Sequence, residues 1–303
     1  MKLLITGISG FIGSAVYKNF KDDFEIYTID NLSFGNRSLI DIPNDNFYVD
    51  DIRNRRRVFE LLEKIQPDYV IHLAAIHFIP FCNEHPFEAA EVNIQGTKNI
   101  FDACESSNSV KKVLYASTAA VYPIIDEAIT ERHPTGPMDI YGITKLTGEY
   151  IAIAFHQKTN IPTIICRFFN AFGPNETNPH LIPAIQEQIN GGLRKISLGN
   201  LEPKRDYIHT SDMANAIEGL MKNFKEGIDT FNLGQGKEYS VTEIVDAFAE
   251  CLNEEIEIIQ DPSRMRKSDR MHLLADNTKL KKFLNWAPKT SIEVGIKTLL
   301  SNV

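Results

Sequence analysis

Cysteine is scarce in this chain and scattered. Cys82, Cys104, Cys166 and Cys251 form no pair at metal-ligand spacing and no dense framework of the kind that staples small secreted domains, so a reduced, cytoplasmic setting is expected. Positive charge is also short. With 32 basic against 40 acidic residues the net charge is -8, which leaves no electrostatic footprint for a nucleic-acid backbone or an anionic membrane surface. An anionic ligand would have to be met by local arginines. A long apolar run is missing too: Tyr69 to Cys82 contains His72 and His77 and falls short of the ~18 residues a membrane helix needs. The apolar opening Met1 to Ile5 is broken by Gly7 and Gly10 before it could act as a signal peptide. His77, His85 and His180 match no ordinary chelate spacing, and no metal is expected. Internal repeats and low-complexity tracts are absent.

What is present is alternation. The 303 residues, 43% hydrophobic and 24% charged, suit one large α/β unit with a smaller companion. Lys2 to Thr6 is a short apolar run, Phe11 to Phe20 has helical spacing, and Glu25 to Ile29 is again strand-like. The pattern continues through Asn46 to Val49, a helix from about Arg55 to Ile65, strand Tyr69 to Leu73, helix Pro86 to Glu105, strand Lys112 to Ser117, helix Ile140 to Phe155 and strand Pro162 to Arg167. Strand, helix, strand in repetition predicts a parallel sheet, and near-continuous apolar strands predict helices on both of its faces. After Arg167 the chain changes: loops rich in Pro, Asn and Gly run from Asn170 to Pro183 and from Leu198 to Asp206. A helix such as Ser211 to Met221, followed by strand-like Thr230 to Leu233, is expected to return to the first lobe. The boundaries read from this are 1–167 plus about 206–233 for a dinucleotide-binding domain, and about 168–205 plus 234–303 for a smaller, interleaved C-terminal substrate lobe.

Between the first strand and the first helix stands Gly7-Ile8-Ser9-Gly10-Phe11-Ile12-Gly13. Glycines there permit a tight turn, close approach of backbone to a pyrophosphate, and close helix packing, with the helix N-terminus facing the phosphates. The spacing is GxxGxxG where GxGxxG is the more familiar form. Asp30 closes the second strand about twenty residues on, where a carboxylate accepts hydrogen bonds from an adenosine ribose and repels a 2'-phosphate. Asn31 and Leu32 follow it, with no arginine, so NAD is preferred to NADP; the bland alternative is that Asp30 merely opens a turn at Asn31.

Tyr141 and Lys145 are one helical turn apart and project from one face. In most proteins such a pair is a solvated surface. Here Ala116-Ser117-Thr118-Ala119-Ala120-Val121-Tyr122 follows a strand of the same sheet, at the carboxyl edge where open α/β sheets bind ligands. A Tyr hydroxyl must drop from a pKa of ~10 to near 7 to act as a base at neutrality, about 4 kcal/mol, and a neighbouring ammonium together with a nicotinamide cation push it that way. Thr118 would hydrogen-bond the same substrate oxygen. Ser117 is the neighbouring hydroxyl.

Jointly the glycine turn, Asp30-Asn31-Leu32-Ser33, Asp51-Ile52-Arg53, His72-Leu73-Ala74-Ala75, Val92 to Thr97, Ser117-Thr118, Tyr141 to Lys145 and Arg167 to Pro174 resemble the nucleotide-sugar epimerase/dehydratase branch of the extended short-chain dehydrogenases/reductases, over essentially the whole chain. The resemblance implies a Rossmann-type doubly wound sheet and a set of contacts. Gly7, Gly10, Phe11, Ile12, Gly13, Asp30 and Asn31 would hold NAD; Asp51 and Ile52 would flank its adenine; Leu73, Ala74 and Ala75 would line its diphosphate and ribose path. Asn93 would support the site, Ser117 would lie with the cofactor contacts, and Lys145 would also hold the nicotinamide ribose. For the substrate it implies Asn170 at the diphosphate, Leu198 and Asn200 in the nucleoside pocket, Leu181 in a loop near the sugar, and Arg205 and Arg266 as phosphate partners. Ile76 to Glu84 and Pro179 to Pro183 would meet the sugar. A homodimer through the helices Pro86 to Glu105 and Ile140 to Phe155 is implied as well.

Family members that dehydrate sugars carry an acid directly after the catalytic Thr, and here Ala119 and Ala120 stand there. Without an acid to protonate a departing hydroxyl, the expected reaction is 4-epimerisation of a nucleotide-diphosphate sugar, UDP-linked or else GDP-linked. A 4-reductase or dehydrogenase with the same Tyr141 and Lys145 is the alternative, ahead of a 4,6-dehydratase or a non-catalytic NAD sensor.

Overall fold

The computed structural model describes residues 1–265 and 270–300. They form two compact units, one built from Met1–Pro123, Glu131–Phe168 and Ala214–Asn232, the other from Ile124–Thr130, Phe169–Met213 and Leu233 onward.

The first unit is organised by strands β1 (Lys2–Thr6), β2 (Glu25–Asp30), β3 (Phe47–Val49), β4 (Tyr69–His72), β5 (Lys112–Thr118) and β6 (Thr163–Phe168). Chain order continues with β7 (Asn170–Phe172), β8 (Lys195–Leu198), β9 (Lys204–His209), β10 (Ile228–Leu233), β11 (Glu238–Ser240) and β12 (Glu257–Gln260). The large sheet runs β10-β6-β5-β4-β1-β2-β3, and the pairs from β3 across to β6 are parallel. Strand order therefore reverses beside β1, the switch point at which doubly wound sheets open a crevice at their carboxyl ends. The expected α/β Rossmann-type architecture is the one observed.

Alternate residues supply the two faces. Leu4, Ile29, Val70, Val113, Tyr115 and Ile165 join one core cluster with residues of the helices Arg55–Ile65, Pro86–Ser106 and Ile140–Thr159, while Leu3, Ile5, Ile71, Leu114 and Ile164 are buried on the other side. β5 is buried along all of its length, as a central parallel strand must be.

Two departures from regular helix position the site. From Glu91 to Gly96 the Pro86–Ser106 helix widens into a π turn, a local form that places Asn93 inward. The Ile140–Thr159 helix, capped by Asp139 on the Gly142 N–H, carries glycines where it meets β5. A Cβ at Gly142 would overlap the Ala120 carbonyl, and one at Gly148 would overlap the Tyr115 hydroxyl.

In the second unit β7 and β9 are parallel, β9 and β11 antiparallel, and β8 pairs with β12. Its core gathers Ile185, Ile189, Ile196, Ile244, Phe248 and Ile296. The stretches expected as loops from Asn170 and up to Asp206 are strands at those ends, because Asn170–Phe172 pairs with Tyr207–His209 of β9 and Lys204–Asp206 pairs with β11, over distances in sequence that local patterning does not report. Among the described residues no helix is long and apolar enough to cross a membrane.

Close approach of helix and strand yields a direct test. Gly148→Ala should lower unfolding stability by about 3 kcal/mol, the upper range for overpacking a filled core, in urea melts of the full chain; an unchanged midpoint would show that β5 and the helix can separate without cost.

Candidate active site

The glycine turn has the shape of a dinucleotide cradle. Gly7 sits at φ +72 with the Ala74 backbone 2.8 Å from where a Cβ would be, and a Cβ on Gly13 would overlap the Gly7 carbonyl. Gly10 precedes the Phe11–Phe20 helix and offers no side-chain cap, so the first-turn N–H groups around Phe11, Ile12 and Gly13 are left to face an anion. The Ser9 hydroxyl is buried in this turn with no hydrogen-bond partner among the described residues. Such an orphaned group, beside a turn that tolerates no Cβ, fits a bound dinucleotide.

Asp30 closes β2 and is buried. One carboxylate oxygen accepts the Ser9 N–H at 2.9 Å and the other the Leu32 N–H at 2.9 Å. Asp30 thus shapes the turn at Asn31, and each oxygen keeps a lone pair for a hydroxyl. Asn31 donates to Asp51 at 3.1 Å, and Arg53 clasps the same carboxylate at 2.7 Å, holding it below the usual carboxylate range. Ile52 is buried against Gly96. Leu73, Ala74 and Ala75 are half-buried in the segment after β4, where the Leu73 and Ala74 N–H groups donate to the Thr6 carbonyl and hydroxyl.

Asn93 fastens this segment to the Ile140–Thr159 helix. Its side chain accepts the Ile76 N–H at 2.8 Å, donates to the Ile76 carbonyl at 2.9 Å, and donates to the Thr144 hydroxyl at 3.0 Å. Thr144 in turn donates to the Tyr141 carbonyl.

The structure brings Thr118, Tyr141 and Lys145 together in the first unit. Thr118 ends β5; its oxygen accepts the Ala120 N–H at 3.2 Å, which leaves its proton to favour the Tyr141 phenolate. Lys145 is buried, its Nζ 4.3 Å from the Tyr115 ring centroid. Desolvation brings its ammonium down to about 7, against the pull of the Glu149 charge. Tyr141, expected to be lowered toward neutrality, is instead pushed up by burial, with the Thr118 hydrogen bond opposing. The chain's own groups do not make Tyr141 a base near neutrality, because Thr118 offsets only part of the desolvation.

Several side chains have partners that the sequence did not assign them, among them Ser117, which was expected with the cofactor contacts. His72 bridges the Thr6 and Thr97 hydroxyls at 2.7 and 2.9 Å and is held neutral, its pKa brought down to about 3 by burial and then by the Lys145 charge. Ser117 donates its hydroxyl to Glu149 at 2.5 Å, and Arg167 closes a buried ion pair on the same carboxylate at 2.6 Å. The i, i+4 continuation from Tyr141 through Lys145 to Glu149 was the available signal.

The residues assigned to the nucleotide part of the substrate, and Leu181, fall in the second unit. Asn170 opens β7, Leu181 opens the helix Leu181–Asn190, and Leu198 is a buried core residue at the end of β8. Leu181 and Leu198 belong to one apolar cluster, so Leu198 can meet a ligand through backbone alone. Asn200 is half-buried in the turn before β9, and Arg205, on β9, donates to the Lys204 and Arg270 carbonyls. Arg266 lies outside the described residues. Two segments expected to meet the sugar are partly helical: Ile79–Glu84 forms a short helix, and Pro183 falls in the first turn after His180. Among the described residues no group of three His, Cys, Asp or Glu side chains could hold a metal ion.

This geometry has relatives. A family model described as GDP-mannose 4,6 dehydratase matches residues 4–299. The UDP-glucose 4-epimerase of Bacillus subtilis is 31% identical over 324 residues, spanning 97% of this chain and 94% of that protein. The GDP-6-deoxy-D-mannose reductase of Pseudomonas aeruginosa is 25% identical over 309 residues, spanning 99% and 96%. Among solved structures, the UDP-glucose 4-epimerase of Thermotoga maritima with UDP-glucose matches with a TM-score of 0.91 at 27% identity, over 99% of this chain and 98% of that one. With a switch-point sheet, a glycine cradle and a Thr, Tyr and Lys group at the strand ends, the protein is an extended short-chain dehydrogenase/reductase, and it belongs to the NAD-dependent nucleotide-sugar epimerase/dehydratase family.

The buried lysine gives a stability signature. Its folded pKa of about 7 lies below the 10.5 of an exposed lysine, so between those values the unfolded chain binds the extra proton and stability rises with pH. Without nucleotide, the stability of the wild type relative to Lys145→Met should improve by about 2 kcal/mol between pH 7 and pH 9.5. Parallel urea titrations of the two proteins check this; a difference that stays constant with pH would mean Lys145 is not desolvated.

Proposed function

We propose that the protein is an NAD-dependent 4-epimerase of a nucleotide-diphosphate sugar, UDP-linked in the first instance. The observation that carries this reading is the meeting of Thr118 with Tyr141 one turn from buried Lys145, beside a turn whose Ala119 and Ala120 offer no acid. NAD, when bound along the glycine cradle and Asp30, supplies a hydride acceptor, the hydride for return once reduced, and a positively charged ring.

The remaining steps belong to the chain. Tyr141, with the Thr118 hydroxyl favouring its phenolate, takes the proton of the C4 hydroxyl as that carbon is oxidised. Thr118 holds the same sugar oxygen in line. The Lys145 ammonium and the cofactor's ring charge both favour the phenolate, offsetting the burial that raises Tyr141. When the 4-keto sugar presents its other face, Tyr141 gives the proton back. A 4,6-elimination would need an acid to carry away the C6 hydroxyl, and the turn Ala119–Val121 has none. Arg205, Asn170 and Asn200 are the proposed partners of the nucleotide, with the Arg205 guanidinium placed by the Lys204 and Arg270 carbonyls.

The decisive assay incubates the protein with UDP- and GDP-hexoses and a trace of NAD, followed by proton NMR. A C4 epimer formed without net NAD reduction, with turnover falling by about 10²-fold or more in Tyr141→Phe, is the expected result. Product formation that consumes NADH mole for mole would replace the epimerase reading with the reductase one, the activity of the Pseudomonas relative.

We also propose a homodimer. Phe87, 86% exposed, lies on the Pro86–Ser106 helix, and Ile143 and Tyr150 share one exposed face of the neighbouring Ile140–Thr159 helix. Isologous pairing of these helices would cover them. Light scattering should give twice the 34.3 kDa chain mass, and Tyr150→Glu should halve it; a monomeric wild type would refute the pairing.

A further inference from the structure

Burying an ion pair does little for stability compared with an apolar pair of equal volume, because two desolvations offset the attraction. The Glu149–Arg167 pair is nonetheless buried on both sides, at 3% and 7% exposure. Its hydrogen bonds have a consistent direction. Arg167 Nε and the Ser117 hydroxyl share one carboxylate oxygen at 2.8 and 2.5 Å, and the far Arg167 nitrogen takes the other at 2.6 Å. Ser117 and Arg167 are register partners on β5 and β6, so one carboxylate from the helix grips two adjacent strands at the same level. The remaining Arg167 nitrogen donates to the Tyr122 hydroxyl at 2.8 Å, and Tyr122 donates to Asn232 at 2.8 Å. Two residues before Ser117, the Tyr115 hydroxyl donates to the Lys145 carbonyl at 3.2 Å, beneath the Lys145 ammonium.

We infer that Glu149 and Arg167 are positioning residues of the active site: they lock the strand end bearing Thr118 against the helix bearing Tyr141 and Lys145, and Glu149 sets the charge environment of Lys145 from one helical turn away. The inference rests on the reading of Tyr141 as the base.

The electrostatic half follows from what faces Lys145. On its own helix stand Tyr141 one turn before and Glu149 one turn after; from β5 comes the Tyr115 ring; from β4 comes His72, which is neutral; the Arg167 charge on β6 is engaged with Glu149. Glu149 therefore opposes the desolvation of the ammonium, and the ammonium favours the Tyr141 phenolate. Removing the anion should weaken both in sequence. The geometric half follows from Ser117: it precedes Thr118 directly, so its bond to Glu149 sets the rotation of the strand end that delivers the Thr118 hydroxyl.

The two halves separate experimentally. The full chain is labelled with tyrosine carrying ¹³C at the ring Cζ, saturated with NAD, and titrated by NMR, with the Tyr141 signal assigned by its loss in Tyr141→Phe. Glu149→Gln should move the Tyr141 ionisation midpoint up by about one pH unit, a tenfold loss of phenolate at fixed pH. The double variant Glu149→Gln with Arg167→Met, which removes both charges at similar volume and guards against an unfolded single variant, should move it the same way. Glu149→Asp should restore the midpoint, and Ser117→Ala should leave it in place while lowering kcat tenfold with KM changed less than threefold. Variants that titrate with the wild type overturn the inference alone. A wild-type Tyr141 whose midpoint does not fall when NAD is added overturns the base assignment, and the inference with it.

Discussion

Everything chemical in the first unit depends on how near one helix comes to one strand. The Ile140–Thr159 helix lies against β5 and the turn after it at a separation that excludes a Cβ at Gly148 and at Gly142, and that approach sets Tyr141 beside the strand end that bears Thr118. The contact is made of backbone and hydroxyl groups as much as of apolar ones. Tyr115 reaches a helix carbonyl, Ser117 reaches a helix carboxylate, and Asn93 reaches Thr144 from a third element. Hydrogen bonds of this kind contribute only about 1 kcal/mol each, but they are directional where apolar packing is not. Packing brings the helix to the strand, and the polar bonds decide its rotation and its level.

Burial at this contact has an electrostatic cost that the site distributes. Lys145 gives up part of its charge, His72 gives up all of it, and Tyr141 is driven away from ionisation. A site poised in this way is less stable than a neutral apolar one would be, which is the usual relation between catalytic groups and the cores that hold them. The charge that draws Tyr141 back toward use comes with the cofactor proposed for the glycine cradle.

Much of this was legible in the sequence, and the limit falls at a definite physical point. Buried parallel strands read as short apolar runs and amphipathic helices as spaced ones, so Lys2–Thr6, Phe11–Phe20 and Arg55–Ile65 are found with the bounds expected of them. The helix carrying Tyr141 begins where expected and runs on to Thr159, since its last turn is polar and exposed and is closed by Asn160 in a left-handed conformation. Tertiary contacts without local periodicity were not legible. The strands of the second unit are three to six residues long and pair across wide gaps, as β8 does with β12. Arg167 read only as part of a motif and Glu149 carried no local signal of its partner; their partnership exists because β6 lies beside β5. The direction of the Ser117 hydroxyl, toward Glu149, is likewise a property of the folded sheet.

The π turn from Glu91 to Gly96 sets local regularity against the architecture around it. It spends one residue more than an α-helix needs to cover the same turn, and a residue in an α-helix advances by about 100°. Made regular, this helix would have better backbone geometry and would rotate one of its halves relative to the other. Asn93 would then face away from Ile76 and Thr144, and the segment after β4 and the helix behind it would lose their common tether. Here the irregularity is the hinge pin: the defect in one helix is the fixture that keeps two other elements in register.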